Sequence, residues 1–127
     1  MNRLVHFEIH AADPERAIAF YEEVFRWQFH SFGGDMEYWL VVTGPDDEPG
    51  INGGLVRRQG PSPEEGQPVV SMIGTVEVPG IEDTIGAVNG AGGRVVVPVM
   101  EIPQVGWTCY CKDTEGNLFG LHQPMEA

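Results

Sequence analysis

Hydrophobic and polar positions near the N-terminus alternate first in twos and then in threes and fours. Val5, Phe7 and Ile9 alternate with His6, Glu8 and His10, the two-residue period of a half-buried strand. Ala17, Ile18, Phe20, Tyr21, Val24 and Phe25 then recur at helical spacing, so the helix they form buries one face. Between the two patterns stands Asp13-Pro14, an N-cap followed by the residue best suited to the first helical position. The pattern predicts a strand, a tight turn and a helix over 5–29. The apolar side of the strand meets the helix, which leaves His6, Glu8 and His10 on the opposite face, where chemistry is to be sought.

The same reading continues along the chain. Strands are expected over Trp27–Phe32 and over Glu37–Thr43, which is β-branched and aromatic. Gly33-Gly34-Asp35 is a turn between them, and Gly44–Gly50 is an acidic exposed loop. Ile51–Arg58 is a shorter strand, whose Gly53-Gly54 pair marks either a bulge or a close approach of backbone or ligand. Gln59–Pro68 is rich in proline and glycine and has no apolar residue beyond them, so it reads as a linker. The pattern then starts again. A strand over Val69–Val78 precedes a helix over Ile81–Ala91, with Ile81, Ile85 and Val88 on one face and Gly92-Gly93 as its stop. Strands follow over Arg94–Val99, Gly106–Lys112 and Asn117–Gln123, the last two joined by the turn Asp113–Gly116.

The order strand–helix–strand–strand–strand thus occurs twice. The expected fold class is α+β, with two tandem βαβββ modules forming an open half-barrel around a shared groove. The whole chain, 1–127, is expected to be one domain, with module one at about 1–58, the linker at 59–68 and module two at about 69–127.

Composition narrows the function. A chain of 127 residues, 42% hydrophobic, can bury a respectable core. Its net charge of −12 repels nucleic-acid phosphates and anionic membrane surfaces and is compatible with a neutral or cationic ligand. The opening MNRLVHFEIH has no long apolar run, so neither a signal peptide nor a membrane span is expected. Cys109 and Cys111 lie two apart in an expected strand, point to one side and make a poor disulfide, which suits reduced thiols in the cytoplasm. No P-loop, dinucleotide-binding glycine pattern or G-x-S-x-G elbow occurs.

Several short motifs together resemble the vicinal oxygen chelate superfamily, which includes glyoxalase I, bleomycin-resistance proteins and extradiol dioxygenases. They are His6 with the run Asp13-Pro14-Glu15-Arg16-Ala17, Phe20-Tyr21, Val24-Phe25 and Trp27, and later Asp113-Thr114-Glu115-Gly116-Asn117 with Gly120-Leu121. The likeness covers nearly the whole chain and is closest to the small glyoxalase/bleomycin-resistance-like branch. One departure is Arg26, where the family usually has a glycine that ends the helix in a left-handed conformation. Either a strained Arg26 or an altered turn is expected, at a cost on the order of 1 kcal/mol if the conformation is kept.

The resemblance implies one divalent metal, held by residues from the first and last strands of each module and acting as a Lewis acid on neighbouring substrate oxygens. Its ligand positions fall here at His6, at Ile73, at Gly120 and at Gly53 or Gly54. Only His6 retains a ligating side chain, so no family-type metal site and no cofactor are expected. A displaced divalent metal on His6, Glu8 and His122 is the alternative.

Two functions follow from the resemblance. The first is a metal-free homodimer that binds and sequesters a small molecule, as bleomycin-resistance proteins do. Its groove would be lined by His6, Glu8, Asn52, Glu77 and His122 and walled by Trp39 and Trp107. The second is an enzyme, a lyase, isomerase or dioxygenase with a displaced metal or a metal-independent acid–base catalyst, with Glu8 and His122 as the candidate catalytic groups.

Overall fold

The computed structural model describes residues 2–64, 66–67 and 70–126. The elements run β1 (Arg3–Ala11), α1 (Pro14–Phe25), β2 (Gln28–Ser31), β3 (Tyr38–Val42), β4 (Gly53–Arg57), β5 (Ile73–Glu77), α2 (Ile81–Gly90), β6 (Arg94–Ile102), β7 (Gly106–Lys112) and β8 (Leu118–Pro124). This is βαβββ twice over, the α+β class read from the sequence. Two compact units result: His6–Met72, and the residues up to Val5 together with those from Ile73 onward. In the second of these, the Leu4 side chain lies directly over Gly74.

In the first module β2 pairs with β3 and β3 with β4, both antiparallel, while β4 lies parallel to β1 with Phe7 opposite Gly53 and Ile9 opposite Leu55. Phe7, Ile9, Ala11, Val41 and Leu55 form its buried core, with Ala17, Ile18, Tyr21, Trp27 and Phe29 packed against it. The alternation in β1 therefore does what its spacing predicts, turning Phe7 and Ile9 toward α1. The Tyr21 ring stacks on Trp27 with centroids 5.2 Å apart and planes 5° from parallel. Such an aromatic pair adds on the order of 1 kcal/mol to the area it buries.

Helix α1 starts as expected. The Asp13 carboxylate accepts from the Arg16 backbone N–H at 3.1 Å, and Pro14 follows at the first helical position. It ends on Arg26 in the left-handed conformation, φ 62° and ψ 26°, whose N–H donates to the Glu22 carbonyl. Of the two outcomes expected for Arg26, the chain takes the strained one. The turn is kept because Trp27, immediately beyond it, must reach the aromatic stack.

The second module repeats the topology, with β6 antiparallel to β7, β7 antiparallel to β8, and β8 parallel to β5. Val78, Ile81, Cys109, Cys111 and Leu121 form its core, flanked by Ile85, Val88, Trp107 and Phe119. Gly80 at the start of α2 has no side chain with which to cap it; the Ile81 N–H donates instead to the Gln123 side-chain oxygen at 2.8 Å, a cap supplied from β8. The helix ends at Gly90 with Ala91 as its cap, and the chain turns away at Gly92, whose φ of 98° suits glycine. The Asp113 carboxylate accepts from the backbone of Glu115 and Asn117 and from the Asn117 side chain, closing the β7–β8 turn. Those bonds hold its pKa below the usual carboxylate range.

Two strand boundaries differ from expectation by more than two residues. The strand expected from Val69 starts at Ile73; Val69 lies outside the described residues, and Ser71 and Met72 are not in a strand. The strand expected to end at Val99 runs to Ile102 despite Pro98. Register shifts between Val95 and Val97 and between Val97 and Met100 absorb the proline on a strand whose pairing partner is β7.

The thiols of Cys109 and Cys111 are free, buried and 4.0 Å apart. Burial and the neighbouring thiol push Cys109 up to about 12, and burial raises Cys111 as well. Among the described residues, no helix is long and apolar enough to cross a membrane.

Two outcomes follow. Arg26→Gly relieves the left-handed strain and should raise unfolding stability by about 1 kcal/mol in urea titration; an unchanged midpoint would mean that the conformation costs nothing. In the native protein at mildly alkaline pH both thiols should react with a disulfide reagent only as fast as the protein opens, and promptly once it is denatured.

Candidate functional site

The face of the first module that turns away from α1 carries the polar residues of β1. Glu8 and His10 are joined there, with His10 Nε2 2.7 Å from Glu8 Oε1. Both are largely shielded, with side chains 12% and 21% exposed for Glu8 and His10, so the contact is worth more than a surface pair. His6 Nε2 lies 3.3 Å from the Tyr38 hydroxyl. Burial, and then the Glu8 charge, push Tyr38 up to about 12. The phenol therefore keeps its proton at neutral pH and is the natural donor to that nitrogen. The ring also meets Phe32 edge-on, centroids 5.7 Å apart.

Tyr38 stands where it does because of Gly54. Gly54 is the register partner of Glu8, and a Cβ built on it would collide with the Tyr38 hydroxyl. At Gly53 a Cβ would instead strike Phe7 on the core side. Gly54 is thus the member of the pair that shares a face with Glu8 and Tyr38, and the tyrosine fills the volume that a side chain there would occupy.

The remaining residues singled out from the sequence fall as follows. Trp39, one position on from Tyr38, packs against the core with Val41, on the helix side of the sheet rather than the side of Tyr38. Asn52 lies outside β4, in the loop before it; its side-chain oxygen accepts from the Thr43 N–H at 3.0 Å and so closes the β3–β4 loop. In the second module Glu77 and His122 are register partners across β5 and β8. Trp107, like Trp39, packs on the core side, against the cluster that holds the two cysteines. Strand parity puts each tryptophan, expected as a wall of the groove, on the same side as fully buried neighbours, Val41 for Trp39 and Cys109 for Trp107.

The sequence reading missed Tyr38 and Thr75. Tyr38 was detectable by carrying the two-residue period into β3, where Val41 and Trp39 mark the core side. Thr75 is buried, 7% exposed, and its hydroxyl lies 3.0 Å from the place a Cβ on Gly120 would take. Nothing in the letters around Thr75 marks it.

The four positions at which the superfamily resemblance implies metal ligands do not fit a metal. His6 faces a phenol, Ile73 is a buried hydrocarbon, Gly120 faces Thr75, and the space at Gly54 is taken by Tyr38. Of the displaced set, Glu8 is engaged by His10. Among the described residues, no group of three or more His, Cys, Asp or Glu is placed to hold a metal ion.

The comparisons with known proteins bear on this arrangement. A family model described as bleomycin resistance protein-like N-terminal matches residues 3–44, from β1 through β3. Methylmalonyl-CoA epimerase from Mycobacterium tuberculosis superposes with a TM-score of 0.65 at 16% identity, covering 97% of this chain and 88% of that one. In fold, the chain is similar to proteins of the vicinal oxygen chelate superfamily. A glyoxalase/bleomycin resistance protein/dioxygenase superfamily member from Vibrio splendidus 12B01 gives 0.63 at 16% identity, covering 98% and 100%. A Streptomyces coelicolor methylmalonyl-CoA epimerase in complex with 2-nitronate-propionyl-CoA gives 0.64 at 11%, covering 99% of each chain. Identities this low speak for the vicinal oxygen chelate fold and not for a shared activity. No curated protein matches the chain by sequence.

A titration tests the Tyr38 environment. Followed by tyrosinate absorbance, one of the three tyrosines should ionise near pH 12 rather than 10, and Tyr38→Phe should remove that step. Because the folded-state value lies above the unfolded one, the corresponding stability is complete below pH 10 and is lost as pH rises toward 12. Gly54→Ala should displace the ring and return the step toward 10.

Proposed function

We propose that this protein binds and sequesters a small neutral or cationic organic molecule, without a metal, on the polar face of its first module. The observation that carries the reading is Tyr38 seated against Gly54 with its hydroxyl at His6 Nε2, an arrangement that engages the retained histidine with a phenol. His6, Tyr38 and Glu8 then offer a donor, an acceptor and a negative charge to a guest. A net charge of −12 favours cations over anions. The proposal extends to a cytoplasmic homodimer whose two modules form one domain. Reduced thiols support the compartment, and the superfamily resemblance supports the dimer and the single domain.

A second reading has one specific observation behind it. A carboxylate in contact with an imidazole, as in Glu8 and His10, near a proton-retaining phenol, is equipment for moving a proton on and off a carbon acid. Two of the structural neighbours are epimerases acting on methylmalonyl-CoA. In this reading Glu8 is the base and Tyr38 the donor to the developing oxyanion.

A thermal-shift panel of neutral and cationic compounds at millimolar concentration tests the first reading. A bound guest at about 100 times its Kd should add roughly 2.7 kcal/mol of stability. Glu8→Gln should weaken a cationic guest roughly tenfold. Silence across the panel, or about one equivalent of divalent metal copurifying and lost on His6→Ala, would overturn it. Turnover of a carbon acid that disappears in Glu8→Gln, with binding retained, would favour the catalyst over the sequestering protein.

A further inference from the structure

A second candidate site lies on the other side of the first module, beside α1. A surface depression of about 510 Å³ opens there, within the size range of small-molecule sites. Its walls include Arg16, Arg58, Asp13, Phe20, Tyr21 and Pro63. We propose that this depression is a binding site for a small aromatic monocarboxylate, distinct from the polar face that carries His6 and Glu8.

The charges select the ligand class. Lysine and arginine together number only seven in this chain, against nineteen aspartates and glutamates, yet two arginines line this one depression. The neighbouring Arg57 is committed elsewhere, with Nε and Nη2 on the Glu37 carboxylate and Nη1 on the Ala12 carbonyl. Arg58 gives one N–H, from Nη2, to the His10 carbonyl at 2.7 Å, which fixes the guanidinium and leaves its other donors for a guest. Among the described residues, no side chain pairs with the Arg16 guanidinium. A carboxylate suits such donors because its two oxygens match the planar fork of a guanidinium. Asp13 on the same wall leaves the lining with one net positive charge, which fits a monoanion and disfavours phosphate dianions.

The apolar part of the lining selects the rest of the molecule. Phe20 is 55% exposed, an unusual cost for so large a ring, and meets Tyr21 edge-on with centroids 5.1 Å apart. Tyr21 in turn is held by its stack on Trp27. An exposed phenyl on a fixed partner, beside guanidinium donors, is a seat for a second aromatic ring. Pro63 contributes a rigid apolar rim from the loop after β4.

Benzoate is the probe, titrated into the isotopically labelled protein by NMR, with benzyl alcohol and inorganic phosphate in parallel. Benzoate should bind with a Kd of about 1 mM, that is about −4 kcal/mol, shifting the backbone amides of Arg16, Ala17 and Arg58. Benzyl alcohol, which lacks the charge, and phosphate, which lacks the ring, should each bind roughly tenfold more weakly. Arg16→Met, on an exposed helix position, should weaken benzoate roughly tenfold, and Phe20→Ala should do the same without loss of fold. No benzoate-induced shifts at about 10 mM, phosphate binding more tightly than benzoate, or benzoate affinity unchanged in both variants would overturn the assignment.

Discussion

Everything on the polar face of the first module follows from α1 lying across the other one. Once Tyr21, Trp27 and Phe29 have claimed Phe7 and Ile9, strand geometry leaves His6, Glu8 and His10 no choice of side. Hydrophobic burial thereby selects which residues stand on the polar face, although the apolar groups lie on the other one. The second module obeys the same rule, with Cys109, Cys111 and Trp107 claimed by the core around α2 and its polar residues turned away.

The cost of this arrangement is concentrated at one residue. Arg26 sits in a conformation that favours glycine, so that the chain can turn sharply from helix to Trp27. The aromatic stack and the packed face of β1 outweigh the strain. A similar exchange occurs at α2, where a glycine at the cap position is compensated by the distant Gln123. Local signals that look defective in isolation are repaired by residues brought near only by the fold.

That is also why the fold was legible and the site only partly so. Period, caps and repeat order are local properties, and they specified both modules, the Asp13 cap and the Gly92 stop. Pro98 was the instructive exception: a residue that ordinarily interrupts a strand is carried through β6 by two register shifts. Site geometry depends on cross-strand register, which single-strand patterns do not encode. Tyr38 reaches His6 because β3, β4 and β1 lie side by side with Gly54 between them. Trp39 and Asn52 were read by residue type, and it is parity and loop position that set their surroundings, the core for Trp39 and the Thr43 N–H for Asn52.

The seat of Tyr38 against Gly54 has a consequence for how such chains diverge. A carboxylate side chain at Gly54 would have to displace a phenol already in place, and removing the phenol first would expose His6 with nothing to complete a coordination sphere. Enlarging Gly54 therefore requires a paired replacement of Tyr38, each change unfavourable without the other. The two positions are thereby coupled, and single substitutions at either one meet an epistatic barrier.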